Sequence, residues 1–318
     1  MKRAFLFFII LLLGCPAIVR AQIDARYSQY FMTLGYYNPA YAGTSEKLNA
    51  MAIHKQQWAG FSGAPKSFFV TADMPFSFAK TNHGIGAAFY SDQAGLFRNT
   101  VVGLQYAYKH KLFGGVLSGG FQLGLANMSF DAEGIYIPDI SESPDHTLDD
   151  EAIPQTSDNG MGLDVNFGLF YTHTKFYVGL GVMHFTESEI ELDENISTYI
   201  PRTYNFTGGY NIQLSNPLFE LQPSVFLMTD MQFMSADITA RLVYNKMFNG
   251  GFSWRVNESV ILLLGANIKN FQAGYAYDFP TTAIRKGTAG SHELFLRFSM
   301  NLKKTKTGQY RHKSVRIL

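Results

Sequence analysis

Apolar and polar side chains alternate along most of the chain with a period of two residues. From 163 to 172 the odd positions are Leu, Val, Phe, Leu and Tyr, whereas the even positions include Asp164, Asn166 and Thr172. The same alternation recurs at 236–245 and 292–302. Successive side chains of a β-strand point to opposite faces, so this period is that of strands. The pattern predicts an all-β protein.

The length and the ends of these segments indicate where the apolar faces point. Each segment runs for about ten residues, the length that a tilted strand needs to cross a membrane. Their apolar faces often end in Tyr or Phe, as aromatic girdles do. An open sheet edge in hydrocarbon would leave backbone amides unsatisfied. We therefore predict a closed, transmembrane, antiparallel up-and-down β-barrel with a polar lumen. A soluble β-sandwich is the alternative.

Connection lengths support this arrangement. Connections after even-numbered segments are brief, whereas the long gaps near 129–160, 187–201 and 280–290 all follow odd-numbered segments. Outer-membrane barrels have short periplasmic turns and longer external loops, so an even strand count predicts that both termini are periplasmic. The fourteen segments are 47–58, 66–76, 83–91, 98–111, 115–128, 161–173, 175–186, 202–214, 218–228, 235–246, 249–256, 258–268, 270–279 and 291–302.

The start of the chain reads as a secretory signal peptide. Lys2 and Arg3 precede the apolar run 4–13, and small side chains before Gln22 predict cleavage after residue 21. The alternative is a lipid-modified Cys15, because Leu-Leu-Gly-Cys resembles a lipobox. Cleavage after residue 21 would remove the single cysteine of the chain, so neither a disulfide framework nor a thiolate site is expected.

Composition and motifs exclude several functions. The chain is 47% hydrophobic but only 16% charged, and after the signal no apolar stretch is long enough for a membrane helix. Its net charge of +1 gives no reason to expect a nucleic-acid partner. A phosphate loop, a serine elbow and a zinc-binding helix are all absent, and His54, His110 and His184 are scattered. We expect no enzyme activity and no cofactor or metal.

Two segments fall outside the predicted barrel, which spans 46–302. Residues 22–45 form an arm that does not alternate. It would act as a plug or docking arm in the barrel mouth, or as a periplasmic lead-in packed against the wall. Residues 303–318 form a basic periplasmic tail, which either binds an acidic protein or stops the last strand from sliding. The aromatic residues of the arm are Tyr27, Tyr30, Phe31, Tyr36, Tyr37 and Tyr41.

Charged residues cluster in the loops and in the lumen. The external loop 129–160, which contains Asp149, Asp150 and Glu151, is acidic, as is 187–201. The acidic loops are either a shared electrostatic surface or simply solvated, and no spacing resembles a calcium loop. The charges expected in the lumen form a permeation path or a structural ladder of ion pairs. These residues are Asp164, Asp237, Arg241, Glu293 and Arg297.

Three sequence blocks resemble the PorP/SprF family of Bacteroidetes outer-membrane proteins. The first runs from Asp24 to Gly43 and ends in Tyr-Asn-Pro-Ala-Tyr-Ala-Gly. The second is His-Lys-Gln-Gln-Trp at 54–58, followed by Gly-Ala-Pro-Lys-Ser at 63–67. The third is Asp-Met-Pro at 73–75. Lys55 departs mildly from the family pattern, where Arg is common. The set is distinctive, although each block is weak alone.

The resemblance implies a role in the type IX secretion and gliding apparatus at the cell surface. The expected partners are outer-membrane lipid and either the C-terminal domain of a secreted adhesin or periplasmic machinery, such as ring or peptidoglycan-linked proteins. A transport barrel, porin-like or for hydrophobic solutes, is the competing hypothesis. The residues proposed to bind a partner are Tyr37, Asn38, Pro39, Tyr41, Gln57, Trp58, Asp149, Asp150 and Glu151.

Overall fold

The computed structural model describes residues 24–131, 158–193 and 196–302, and they form an all-β structure. Most strands coincide with the segments of alternating polarity. Before the first strand lie one short helix, α1 (Leu34–Tyr37), and a 3-10 turn at Pro39–Tyr41. The strands are β1 Lys47–Gln56, β2 Lys66–Phe78, β3 Thr81–Ala94, β4 Phe97–Leu112, β5 Gly115–Phe130, β6 Asp158–Thr172, β7 Phe176–Met183, β8 Glu189–Asp193, β9 Ile196–Tyr199, β10 Thr203–Tyr210, β11 Ile212–Gln213, β12 Phe219–Thr229, β13 Met234–Tyr244, β14 Phe248–Arg255, β15 Ser259–Ile268, β16 Phe271–Pro280 and β17 Ser291–Asn301.

The main sheet closes on itself as an antiparallel barrel. Neighbouring strands pair in chain order, the first with the last through Lys47 and Asn301, and β10 pairs with both β7 and β12. Strand β11 continues β10 beyond a break at Asn211, so the barrel has fourteen strands. The predicted fold and strand number are confirmed. Strands β8 and β9 form a separate hairpin.

The two faces of the wall have opposite polarity, as the alternation predicts. On β6, Leu163 and Leu169 are 47% and 54% exposed on the outside, whereas Asp164 and Asn166 are buried inside. On β17, Leu294 and Leu296 face outward while Glu293 is buried. An apolar exterior around a polar interior is the arrangement of a membrane barrel. In the described part of the chain, no helix has the length and hydrophobicity to cross a membrane.

Connections of different length lie at opposite ends of the barrel. At the end that we call the short-turn rim, strands are joined by residues 79–80, 113–114, 173–175, 214–218, 245–247 and 269–270. The other end, the long-loop rim, carries loops 57–65 and 281–290, the described residues of 184–202 and three brief connections, and β5 ends and β6 begins there. The predicted sorting of connections therefore holds in the structure.

The structure differs from the prediction in the connection before β10. The seventh segment was predicted to reach residue 186, but β7 ends at Met183 because His184 adopts a left-handed backbone with φ of 53°. The loop that follows holds the hairpin of β8 and β9, which was predicted as an acidic loop. In β8 the charged Glu189, Glu191 and Asp193 alternate with the buried Ile190 and Leu192, so the pattern of a short strand is present and the prediction of a loop was wrong.

Candidate functional site: the arm inside the lumen

Residues 24–44, the arm, lie inside the barrel. Every side chain from Asp24 to Ala40 is buried, although this segment contributes no strand to the wall. The turn of α1 and the following 3-10 turn keep the arm compact, since Asn38 N–H donates to the carbonyl of Leu34 and its side chain caps the next turn. The lumen is thus filled by the chain's own N-terminal segment.

The arm crosses the lumen from one rim to the other. Asp24 contacts His184 and Thr203 at the long-loop rim, whereas Gly43 lies against Gly84 close to the short-turn rim. Strand parity places the ends of β1 and β17 together, as the pairing of Lys47 with Asn301 demonstrates. The arm precedes β1 and crosses the lumen, so strand parity does not apply to it. The first described residue, Asp24, therefore lies at the rim opposite the last described residue, Leu302. The periplasmic position of both termini stays a prediction.

Residues 24–33, the part of the arm nearest the long-loop rim, form its upper part. This part is held by a network of buried charges. Lys55 on β1 donates its ammonium to the carbonyl of Arg26 at 2.7 Å and to the hydroxyl of Ser28 at 3.0 Å, and lies 3.3 Å from Asp278. Ser28 N–H donates to the carboxylate of Glu293 at 2.6 Å. Each charge in this network has an opposite charge or a hydrogen-bond donor beside it, which a buried ion requires.

The network extends beyond the arm to β13 and β14. Arg255 donates two parallel hydrogen bonds to the carboxylate of Asp237, at 2.9 and 3.0 Å, and lies 3.4 Å from Asp278. Arg26 pairs with Glu258 at 2.6 Å. Bidentate arginine–carboxylate pairs combine strength with a fixed geometry. The wall therefore holds the arm in one register.

A second charged anchor surrounds His184. Its two ring nitrogens lie 2.6 Å from Asp164 and 3.0 Å from Asp24. Burial by itself lowers the pKa of His184, but the charge of Asp24 and the hydrogen bonds to both carboxylates raise it to about 10. Burial likewise raises the pKa of Asp24, yet the charge of His184 outweighs this and holds it below its ordinary value. His184 is therefore an imidazolium at neutral pH.

Aromatic side chains fill the space between these anchors. Tyr36 meets Phe69 and Tyr90 edge to face, with ring centroids 5.2 and 5.0 Å apart. Tyr30 stacks on Phe226 at 5.2 Å, and its hydroxyl hydrogen-bonds Ser224 and Thr239. Edge-to-face and stacked rings add to the free energy gained from burial. The aromatic density of the arm is explained by packing within the lumen.

Residues 34–44, toward the short-turn rim, form the lower part of the arm. This part is held by amide hydrogen bonds and by close backbone contact. Asn38 donates its side-chain amide to the carbonyls of Leu169 and Leu180 at 2.9 and 3.0 Å. Gly43 N–H donates to Asp73 at 2.8 Å. A Cβ on Gly120 would lie 2.6 Å from the Cα of Ala40. Glycine on the wall therefore makes room for the arm.

A small cavity of about 10 Å³ remains beside the lower arm, with room for about one water molecule. Its lining includes Gly35, Asp73, Gln105 and Arg297. Among the described residues, no group of three or more His, Cys, Asp or Glu side chains is placed to hold a metal ion.

Of the five charges expected in the lumen, all but Asp237 hold the arm, either directly or through His184. Asp164 and Asp237 form the pairs described above, and Glu293 accepts from the arm backbone. Arg241 lies 3.5 Å over the ring of Phe31, and Arg297 donates to the carbonyl of Met32 at 2.7 Å. Asp164, Asp237 and Glu293 are thus in ion pairs. Arg241 and Arg297 contact the arm instead, so the arrangement is structural but is not a continuous ladder of ion pairs. The sequence interpretation missed Arg255 and Asp278, although both occupy inward positions of predicted strands.

The proposed partner-binding residues separate into three groups. Tyr37, Asn38 and Pro39 are buried and contact the chain itself, and Tyr41 is half-buried against Phe170. The half-buried Gln57 and Trp58 lie together at the long-loop rim. The acidic residues Asp149, Asp150 and Glu151 lie outside the described residues. A partner-binding role for all of them stays a prediction.

The sequence blocks that carry the family resemblance meet in the lumen. The arm is bound by Lys55 from the second block, through Arg26 and Ser28, and by Asp73 from the third, through Gly43. Residues 19–298 match the family of type IX secretion system membrane proteins, PorP/SprF. The chain belongs to the PorP/SprF family. A PorP/SprF protein with this fold is an outer-membrane β-barrel. No curated protein matches it by sequence.

Several solved barrels are similar to this PorP/SprF protein in fold. The Pseudomonas putida toluene transporter TodX has a TM-score of 0.49 and 8% identity, covering 88% of this chain and 95% of its own. The Ralstonia pickettii toluene transporter TbuX has a TM-score of 0.47 and 11% identity, with 83% and 92% covered. Likenesses this weak carry no argument about what the PorP/SprF barrel binds.

Proposed function

We propose that this barrel docks a secreted adhesin, through the adhesin's C-terminal domain, at its long-loop rim for type IX secretion and surface anchoring. The observation that carries the proposal is the filled lumen. A protein that passes solutes needs an open path, whereas this lumen is occupied by a segment of its own chain. A filled barrel is better suited to present a surface than to transport.

The anchoring of the arm argues against its easy removal. A solute path would require separating Arg26 from Glu258 and Asp24 from His184. Leaving one member of a buried ion pair without its partner costs about 3–5 kcal/mol. Both pairs would have to open together, so a resting transport channel is the less favoured function.

The long-loop rim offers a rigid surface for the adhesin domain. Loops 57–65 and 281–290 are joined by backbone hydrogen bonds in both directions between Ala59 and the Ala289–Gly290 segment, at 2.7 and 2.8 Å. Trp58 N–H also donates to Ser291. Phe61, 44% exposed, packs over Gly287. Rigid, partly exposed aromatic residues are the side chains that dominate protein interfaces. We call Trp58 and Phe61, together with the neighbouring Gln57, the aromatic platform.

The test is a pull-down of the tagged full-length protein from membranes in a gentle detergent. We expect the wild-type protein to recover a large exported polypeptide, and the double variant Trp58→Ala, Phe61→Ala to lose most of it. Phe78→Ala, Phe113→Ala is the matched control, because these aromatic residues are 70% and 89% exposed at the opposite rim. The control should recover the adhesin as the wild-type protein does.

Two outcomes would contradict the proposal. Loss of the partner in the control but not in the platform variant would place docking at the short-turn rim, as expected for periplasmic machinery. Solute uptake by the wild-type protein in vesicles, with no exported polypeptide recovered, would support a transport barrel instead. Deleting residues 22–45 should open the lumen to ions, which would identify the arm as the plug.

A further inference from the structure

Lysine is concentrated in the turns of the short-turn rim. Of the six connections there, four contain a lysine and none contains Asp or Glu. Lys80 joins β2 to β3, Lys175 joins β6 to β7, Lys246 joins β13 to β14, and Lys269 joins β15 to β16. We call these four residues the lysine collar. They are spaced around the barrel and all are exposed.

Three of the four collar residues adopt a backbone that lysine does not favour. The φ angles of Lys80, Lys246 and Lys269 are 62°, 54° and 56°. In tight hairpin turns these angles are best met by Gly or Asn, since a Cβ is crowded in the left-handed region. Lysine at these positions costs conformational energy. The turns themselves require this backbone, since Ala79 and Asn245 beside two of these lysines also have positive φ, so lysine occupies positions where Gly or Asn would fit with less strain.

The collar has no partner within the described structure. Its four lysines form none of the ion pairs seen among residues 24–131, 158–193 and 196–302. The buried network uses other basic residues, namely Arg26, Lys55 and Arg255. The positive charge of the collar is therefore available to an anionic ligand.

Apolar side chains flank the collar on the outer wall. Phe78 precedes Lys80 and is 70% exposed, and Phe248 follows Lys246 and is 52% exposed. Ile268 and Phe271 flank Lys269, at 61% and 53% exposed. An apolar band bordered by lysine matches the boundary between acyl chains and headgroups, where lysine extends its ammonium toward the polar layer.

We propose that the lysine collar binds the phosphate headgroups of anionic phospholipids in the membrane leaflet at the short-turn rim. A ring of single lysines, three of them beside exposed apolar side chains, fits lipids that surround the barrel. An acidic protein would instead be matched by one contiguous basic patch on one side. The long-loop rim lacks this pattern, since its connections mix Glu187, Asp230 and Glu258 with Arg285 and Lys286.

The experiment measures which lipids stay with the barrel. The full-length protein is reconstituted in vesicles of equal parts phosphatidylcholine and phosphatidylglycerol, extracted in mild detergent, and analysed for retained lipid by mass spectrometry. The test variant carries K80Q, K175Q, K246Q and K269Q. The matched control carries K66Q, R98Q, R285Q and K286Q, which remove four exposed charges at the other rim. Heat-modifiable migration on gels verifies that each barrel is folded.

We expect the wild-type protein to retain phosphatidylglycerol over phosphatidylcholine by at least about fivefold, the effect of one lysine near an anionic surface. The test variant should lose this preference, the control should keep it, and a Lys→Arg version of the collar should restore it. Molar salt should weaken the preference, because exposed charges are screened.

Other results would overturn the proposal. Equal retention of the two lipids by the wild-type protein would remove the collar's lipid role, as would an unchanged preference in the test variant. Vesicles containing lipid A could also compete for the collar better than phosphatidylglycerol does. In that case the bound headgroup would be that of the lipid of the opposite leaflet, and the assignment to phospholipid would fail. Loss of an acidic protein, but not of lipid, from the test variant would assign the collar to a protein partner.

Discussion

The two halves of the arm are held in the lumen by different physical means. From Asp24 to Thr33 the contacts are mainly charged: Arg26 with Glu258, Asp24 with His184, and the backbone at Ser28 with Glu293. From Leu34 to Thr44 they are amide hydrogen bonds and close backbone packing against glycines of the wall, as at Gly120. The charged contacts can be lost through a change of pH or a single substitution. The close packing of the arm against the wall glycines cannot be relieved unless the backbone moves.

The difference predicts which half of the arm is adjustable. Buried ion pairs contribute little net stability because desolvation opposes their attraction, yet breaking one is costly. They therefore fix a register and respond to a change in charge. Tight packing contributes through dispersion and burial at every pH. We expect the stability of the upper half to change with pH and with charge substitutions, and that of the lower half to be insensitive to both.

The largest effect should come from Arg255→Met, which removes the cation shared by Asp237 and Asp278. Asp237 would then be a buried carboxylate without its cation, and Asp278 would keep only Lys55. The free energy of unfolding in lipid vesicles should fall by about 3–5 kcal/mol. The double variant Arg255→Met, Asp237→Asn removes the stranded charge and should recover part of the loss. An unchanged urea midpoint in the single variant would refute the charge-based account of the upper half.

The second-largest effect should be a loss of folding stability at alkaline pH. The pKa of His184 is raised in the folded protein to about 10, so its contribution is complete below the unfolded value near 6.5 and is lost as pH rises through 10. The pKa of Asp24 is lowered, so its contribution is lost only in acid, below its ordinary pKa near 3.8. Between pH 7 and 11 the His184 anchor should lose on the order of 4 kcal/mol.

The measurement compares urea unfolding of the wild-type protein and His184→Gln at both pH values. Lysine and tyrosine also titrate in this range, but they do so in both proteins. The difference in free energy of unfolding between the wild-type protein and His184→Gln should therefore shrink as pH rises. If it stays constant, His184 is neutral in the folded barrel and the anchor does not depend on its charge.

The wall was predictable from sequence because its signal is local. Period-two alternation shows within ten residues, so Leu163 and Asp164 could be assigned to opposite faces without knowing their neighbours. The arm was not predictable in the same way. Asp24 and His184 are 160 positions apart, and neither belongs to a pattern that names the other. The blocks at 24–43, 54–58 and 73–75 carried the family resemblance, but only the fold shows that they meet.

The third effect tests the close packing of the lower half through two adjacent glycines. A Cβ on Gly120 would lie 2.6 Å from Ala40 in the arm, whereas one on Gly119 would lie 3.7 Å from Leu169 on the outer face. Gly120→Ala should therefore lower the free energy of unfolding by about 1–3 kcal/mol, as overpacking does. Gly119→Ala should be neutral or slightly stabilising, because alanine is favoured over glycine in a strand. Equal effects would mean that the arm does not press on the wall.

The smallest effect should come from Asn38→Ala, which removes polar contacts of the lower half and the contact of this side chain with Gly168 but leaves the packing of its other residues. The carbonyl oxygen of this side chain caps the turn at Ala40, and its amide donates to Leu169 and Leu180. Loss of a cap and of neutral hydrogen bonds should lower the free energy of unfolding by about 1 kcal/mol, equally at pH 7 and pH 11. Asn267→Ala, whose amide donates to Lys246 at an exposed turn, is the matched control and should change stability less. A loss at Asn38 that grows with pH would mean that the lower half also depends on the charged anchors, and the distinction between the two halves would fail.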